Sequence, residues 1–342
     1  MAKRRQRLPD RKSRITVHDV ALRAGVSLST VSRIMRNQGL VADETRERVM
    51  LAVRALGYVP NRIAGSLASM RSRLIGVVIP SLSNIVFAEV LNGVDAGLAA
   101  SGHQTVISVT GYDPEVEETV VRGLLAWQPA AMLITGFHHT AATRLMLDQS
   151  GVRVVEMMDI EEVPIDVAVG MSHRLAGYET GKHLIAKGYR RFGYVGHDET
   201  ADRRAGLRYD GLCTALAEAG LGVVAHARTA AASSVAAGRE QTAILRAAAP
   251  QVDVAVYSND DMAVGGVFHC LGAGIRLPRD FAIFGFNGLE IGRELPQPLS
   301  TIRSNRFLIG RRAVEAILAA PARSAGPVVI DTGFEIFDGA TA

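Results

Sequence analysis

From Arg73 onward the chain repeats one alternation, a short apolar run and then a stretch of helical periodicity, and this restricts its fold more than any other feature. The series runs LIGVVIP, FAEVLNGVDAGLAASG, QTVISVT, RGLLAW, AAMLITG, RVVEMMDI, GYETGKHLIAKG and RRFGYVG. It continues through GLCTALAEAG, VDVAVYS, DMAVGGVFHCLGAG, FAIFGF and TIRSNRFLIGRRAVEAILA. Short, mostly apolar runs suit strands buried on both faces. Strands that alternate with helices imply an α/β class, with parallel sheets flanked by helices. The number of units between residues 73 and 342 points to two lobes rather than one. No internal repeat or low-complexity tract is evident.

Charge divides the chain differently. Residues 1–73 carry 16 Lys and Arg against 5 Asp and Glu, a net of +11, whereas the rest carries 22 against 29, a net of −7. A basic head on an acidic body suggests a nucleic-acid-binding segment joined to a domain with another task. No uninterrupted apolar run reaches the ~18 residues of a membrane span. The opening MAKRRQRLPDRKSR is basic with no apolar stretch behind it, so a secretory signal is not expected. Cys213 and Cys270 stand far apart with no CxxC or His cluster, which argues against a disulfide framework or a zinc site and fits a reduced cytoplasm.

Residues 1–14 read as an unpatterned basic tail, but residues 15–58 have core positions. Thr16 suits an N-cap, and Val17, Val20, Ala21 and Ala24 share a helical face. Gly25 permits a tight turn, and Ser27 caps a second helix, LSTVSRIMRN, whose Val31, Ile34 and Met35 can pack back on the first. A third helix, DETRERVMLAVRALGY, offers Val49, Leu51, Ala52, Val53 and Leu56 to the same core. Two short helices across a glycine-containing turn form a helix-turn-helix, whose second helix enters the major groove. Leu28, Ser29 and Arg33 are the expected base readers, Arg33 because a guanidinium can bond bidentately to guanine. Thr16, Thr30, Ser32, Arg36 and Asn37 are expected to hold phosphates. For each residue singly, a solvated helix face is the alternative.

The segment from residue 15 to about 69 resembles the DNA-binding domain of the LacI/GalR family: TVHDVALRAGVS, TVSR, ETRERV, LGYVPN and the following SL occur in that family's order and spacing. The resemblance implies a DNA contact at Asn61 and a hinge over residues 61–72 that becomes helical when two subunits meet on the operator. Leu67 would then wedge between base pairs of the minor groove, a kink repaid by added contacts. Gly65 departs from the family, where a helix former is usual. Glycine lowers helix propensity by about 0.8–1.0 kcal/mol, so this hinge is expected to fold only on DNA. A flexible linker with an exposed Leu67 is the other reading. Leu67→Ala is expected to weaken operator binding far more than ligand binding.

More diffusely, the resemblance continues to about residue 320, where the family is similar to periplasmic sugar-binding proteins. It implies a two-lobe periplasmic-binding-protein-like core over residues 73–342, beside a helix-turn-helix domain over 15–60, with a small-molecule effector between the lobes. Phe87 would be an apolar wall, and Asp159, Arg208, Asn259 and Asn287 stand at effector-contacting positions. His139, after the run AAMLITG, is added to this set as a polar residue at a strand end. Bland readings stay open for several: Asp159 as a turn cap, His138 and His139 as surface histidines, Arg203 and Arg204 as solvated cations. The family commonly has Asp where Asn287 stands. Asn removes a negative charge near Arg208 and favours an anionic ligand, which Arg203 and Arg204 can help hold. FAEVLNGVD, VVEMMDI, DVAVG, NDDMAVG and RNQGLV look most like gluconate-operon repressors, which implies gluconate or a ketogluconate. The alternative is a same-fold regulator that answers another sugar or activates.

Enzyme readings lack support in the sequence. There is no GxGxxG opening a βα unit, no P-loop and no GxSxG. Asp260 and Asp261 read as helix caps rather than a catalytic pair, and no cofactor or metal is expected. The final segment RSAGPVVIDTGFEIFDGATA has no leucine heptads, so a homodimer on a pseudo-palindromic operator is expected rather than a tetramer.

Overall fold

The computed structural model describes residues 15–35, 40–59, 72–198, 202–319, 323 and 326–342. The chain forms two compact units, residues 1–70 and 71–342.

The first unit contains α1 (Val17–Ala24), α2 (Leu28–Met35) and α3 (Asp43–Leu56). Gly25 has φ 64° and closes α1 through its N–H to the carbonyls of Ala21 and Leu22, the left-handed cap that glycine adopts without strain. Val20, Ala21, Ala24, Val31, Ile34, Val49 and Ala52 make a small shared core. Leu51 departs from the sequence expectation and is 54% exposed. The buried set is spaced three and four residues apart, and Leu51 falls between its rows.

The second unit holds two parallel sheets. β1 (Leu74–Ile79), β2 (Gln104–Val109), β3 (Ala131–Thr135), β4 (Arg153–Asp159) and β5 (Val167–Met171) build the first lobe. β6 (Phe192–Gly196), β7 (Val223–Arg228), β8 (Val254–Tyr257), β9 (Ala282–Asn287) and β10 (Ser300–Ser304) build the second. β11 (Val328–Asp331) and β12 (Phe334–Phe337) complete them, in the orders β11-β5-β4-β3-β1-β2 and β12-β10-β9-β8-β6-β7. One winding therefore occurs twice, although the sequence carries no visible repeat. All pairings are parallel except β12 on β10. In each sheet the strand order reverses beside the first strand of the lobe, which opens a crevice at the carboxyl ends there.

The lobes are discontinuous in sequence. The chain leaves the first after β5 to enter α7 (His173–Ala186), returns after β10 through α12 (Arg306–Ala319), and crosses again from β11 to β12. α12 packs against α4 (Ile85–Leu98) over the first sheet, where Val90, Val94, Ile309 and Ala313 meet Ile75, Val77 and Ile79. Burying each such side chain is worth about 1.5–3 kcal/mol. In the second lobe α7 packs against α8 (Arg203–Glu218). Among the described residues no helix is long and apolar enough to cross a membrane.

Candidate functional site

Between the lobes lies a cleft that holds about 460 Å³ of empty space, part of it open solvent. Loops that follow strand ends supply its walls. After β1, Asn84 caps α4 by accepting from the Val86 N–H at 3.1 Å, and its amide nitrogen donates to Tyr112 Oη at 3.3 Å. Phe87, 1% exposed, forms the apolar wall one turn on. After β6 the start of α8 brings in Asp202, Arg204 and Arg208, and after β8 comes Asn259. Asn259 Oδ1 is engaged by the Met262 N–H at 3.0 Å as the cap of α10 (Asp260–Ala273). Its amide NH₂ is what it can offer a ligand.

Of the residues expected from the sequence, Phe87, Arg208, Asn259 and Asn287 line the cleft together. Asp159 lies beside it as a turn cap. Its Oδ1 accepts from the N–H groups of Ile160 and Glu161 at 2.7 and 3.0 Å. Burial pushes its pKa up to about 6, against the pull of those bonds and of Arg204. His139 is a correction. Its side chain is 1% exposed, with Nδ1 2.6 Å from Glu117 and Nε2 3.4 Å from Glu156, and it is not among the cleft-lining residues. Burial alone would lower its pKa; the two carboxylates override that and raise it to about 9. A group held between buried carboxylates serves the first lobe rather than a ligand. Arg203 and Arg204 diverge. Arg204 lines the cleft with its guanidinium 5.6 Å from the Phe87 ring, whereas Arg203 reaches His138 Nδ1 at 3.0 Å and Glu162 at 4.0 Å.

Arg208 is held in a defined pose. One terminal nitrogen donates to the Ser258 carbonyl at 2.7 Å, the other lies 3.1 Å from His173 Nδ1, and the guanidinium sits 3.9 Å from the centre of the Phe286 ring. Burial, reinforced by the charges of Arg208 and Arg204, keeps the His173 pKa well below its usual value, so the ring is neutral. Burial would raise the Asp202 pKa, but the His197 hydrogen bond and the charges of Arg204 and Arg208 hold it well below the carboxylate range. His197 Nδ1 is 2.8 Å from Ser258 Oγ and its Nε2 is 3.5 Å from Asp202. This series has the members of a hydrolytic triad, yet Ser258 is 2% exposed and does not line the cleft. It braces the carbonyl that receives Arg208. His173, Asp202 and Met158 are cleft residues that the sequence reading did not name. Asp202 directly precedes the arginines at the start of α8, which is a usable signal, whereas nothing local distinguishes His173 from any helix-starting residue.

Asp260 and Asp261 were read as caps of α10. Asn259 is the cap, and Asp260 is fully buried, accepting from the Leu289 N–H and the Thr301 hydroxyl, each at 2.7 Å. It ties the loop after β9 to β10. Among the described residues no group of three His, Cys, Asp or Glu is set to hold a metal ion.

In the first unit Leu28, Ser29 and Arg33 are exposed on α2, Thr30 and Ser32 are half-buried, and Val31 and Ile34 face the core. Ser27 Oγ caps α2 through the Thr30 N–H at 3.2 Å and bonds the hydroxyls of Ser29 and Thr30 at 2.8 and 2.9 Å. Thr16 directs both its N–H and its hydroxyl at Asp19 Oδ2, each at 2.7 Å, so a phosphate there competes with the helix cap. Arg36, Asn37, Asn61, Gly65 and Leu67 lie outside the described residues.

Residues 16–61 match the model described as bacterial regulatory proteins, lacI family, and residues 182–332 match the periplasmic binding protein-like domain. Over 330 residues the chain is 40% identical to the HTH-type transcriptional regulator GntR of Pseudomonas aeruginosa, covering 94% of each. It is 36% identical to the regulator of the same name from Escherichia coli, covering 96% of this chain and 99% of that one. Among solved structures, a LacI-family transcriptional regulator from Silicibacter pomeroyi superposes with a TM-score of 0.90 at 41% identity, covering 96% of this chain and 99% of that one.

Proposed function

This chain belongs to the lacI family of bacterial regulatory proteins, and on that premise we propose a dimeric, cytoplasmic repressor that leaves a pseudo-palindromic operator when a sugar acid enters the cleft. The charge balance of the cleft lining supports the acid. Among the described residues that line it, Arg204 and Arg208 face a single carboxylate, Asp202, with a neutral His173 and an asparagine at 287. That leaves an excess of one positive charge, which suits a monoanion. Asn84, Asn259, Asn287 and Asp202 supply donors and acceptors for hydroxyl groups. Gluconate or a ketogluconate carries both a carboxylate and a row of hydroxyls, and the kinship with GntR regulators favours that class. The effector changes the angle between the lobes because it binds one arrangement more tightly than the other. α2 reads base edges, with Arg33 as its principal donor. The protein works by binding, not by catalysis.

Calorimetric titration with gluconate, 2-ketogluconate, 6-phosphogluconate and glucose tests the reading. Saturable binding of one acid and not of glucose is expected. Binding of glucose alone, or of none, overturns the sugar-acid assignment and leaves the DNA-binding assignment standing. Arg208→Ala is expected to cost the acid about 1.5–3 kcal/mol, the range of a hydrogen bond to a charged group, with operator binding intact.

A further inference from the structure

We propose that His173 is a positioning residue that carries the state of Arg208 across to the other lobe, so that an anion on the guanidinium is felt where the chain crosses between lobes. The proposal rests on the assignment of the cleft as the effector site. His173 is the first residue of α7, two residues after the first lobe ends at Met171. Its ring faces both lobes: Nδ1 is 3.1 Å from Arg208 in the second, and Nε2 is 2.9 Å from the Met158 carbonyl in the first. A guanidinium only donates and a carbonyl only accepts. One tautomer therefore serves, with Nε2–H donating to Met158 and Nδ1 accepting from Arg208.

Arg208 cannot move without disturbing that bond. Its second nitrogen is held by Ser258 and its plane lies on Phe286, so a carboxylate that draws on the guanidinium acts directly on Nδ1. At the other end Met158 keeps a φ of 81°, left-handed backbone that a non-glycine residue holds only under tertiary constraint. The second crossing is built alike. Arg306, the first residue of α12, donates to the carbonyl of Asn287, whose φ is 131°. Each helix that begins after a crossing is thus tied to a left-handed residue near a strand end of the opposite lobe, and at the first crossing the tie also meets Arg208.

Asparagine and glutamine each keep half of the imidazole. His173→Asn retains an acceptor near Nδ1 and loses the reach to Met158; His173→Gln retains a donor toward Met158 and loses the acceptor for Arg208. The test measures gluconate affinity by calorimetry, and the ratio of DNA affinities with and without gluconate, on an operator selected by the wild-type protein from a random pool. H173N, which keeps an acceptor for Arg208, is expected to lose less gluconate affinity than H173Q while that ratio, on the order of 5–150-fold in allosteric proteins, collapses toward one. H173Q is expected to bind gluconate about tenfold or more weakly and, with its link to Arg208 gone, to show the same collapse of the ratio even at saturating gluconate. A wild-type ratio at saturating gluconate in either folded variant, or equal gluconate affinities in the two, overturns the proposal. A wild type that binds none of the acids overturns the effector assignment and this proposal with it. Melting curves identify a variant that fails to fold, and the other then decides.

Discussion

Gly177→Ala tests whether the close approach of α7 and α8 sets the cleft. A Cβ on Gly177 would lie 1.8 Å from the carbonyl oxygen of Arg208, and one on Gly211 would lie 2.0 Å from that of Arg174. Real Cβ atoms essentially never come closer than 3.0 Å, so the two helices must separate by roughly an ångström or more at this point. Arg208 rides on α8, and its bonds of 2.7 Å to Ser258 and 3.1 Å to His173 do not survive a displacement of that size together. Overpacking of this kind costs about 1–3 kcal/mol, which lowers the melting temperature by roughly 2–4 °C per kcal/mol in a domain of this size. Loss of the Arg208 pose weakens acid binding about tenfold or more. Gly206→Ala on the same helix is the control. Its Cβ meets nothing within 4 Å, so it gains about 0.8–1.0 kcal/mol of helix propensity and keeps its ligand. Thermal melts and gluconate titrations of the two variants decide. A Gly177→Ala protein that melts and binds as wild type would refute the helix-contact reasoning.

Three further outcomes are expected. Asn287→Asp returns a carboxylate to the cleft, so gluconate affinity falls on the order of tenfold while glucose is not disfavoured; equal effects on both would remove the charge argument. Asp159 has a folded-state pKa raised from 3.8 to about 6, so its contribution to stability is complete below 3.8 and is lost as pH rises through about 6. Asp159→Asn keeps an acceptor for both turn N–H groups, so its urea-derived stability should gain on wild type across that window and then level off; a difference constant with pH would contradict the assignment. Arg33→Ala should lower operator affinity by about 1–3 kcal/mol and relax specificity at one base position, with gluconate binding unchanged. Uniform weakening across operator variants would make Arg33 a phosphate contact.

Much of the architecture was legible because it is written in short-range periodicity. The buried faces of α1 and α2 and the central strands of both sheets follow from spacing alone. β7 and β11 did not register, because edge strands alternate or stay exposed and make no continuous apolar run. β5 is fully buried and also did not register, although it is as long as β3 and β6, which did. The doubled winding was hidden because two sheets can share a topology with different side chains filling them.

By itself, the sequence determined a basic helix-turn-helix head and an α/β body of parallel strands and helices, since each depends on residues within a turn or a strand of one another. Tertiary structure alone decided which polar residues enter the cleft. Arg203 and Arg204 are adjacent, yet only Arg204 lines the cleft. His139 was lost to Glu117 and Glu156, one on a neighbouring helix and one on β4. His173 gained its role from Met158 and Arg208, 15 residues before and 35 after it, and Arg306 meets Glu89 across 217 residues. Such partners are chosen by how helices and sheets pack, and no local pattern encodes the distance between side chains that only the fold brings together.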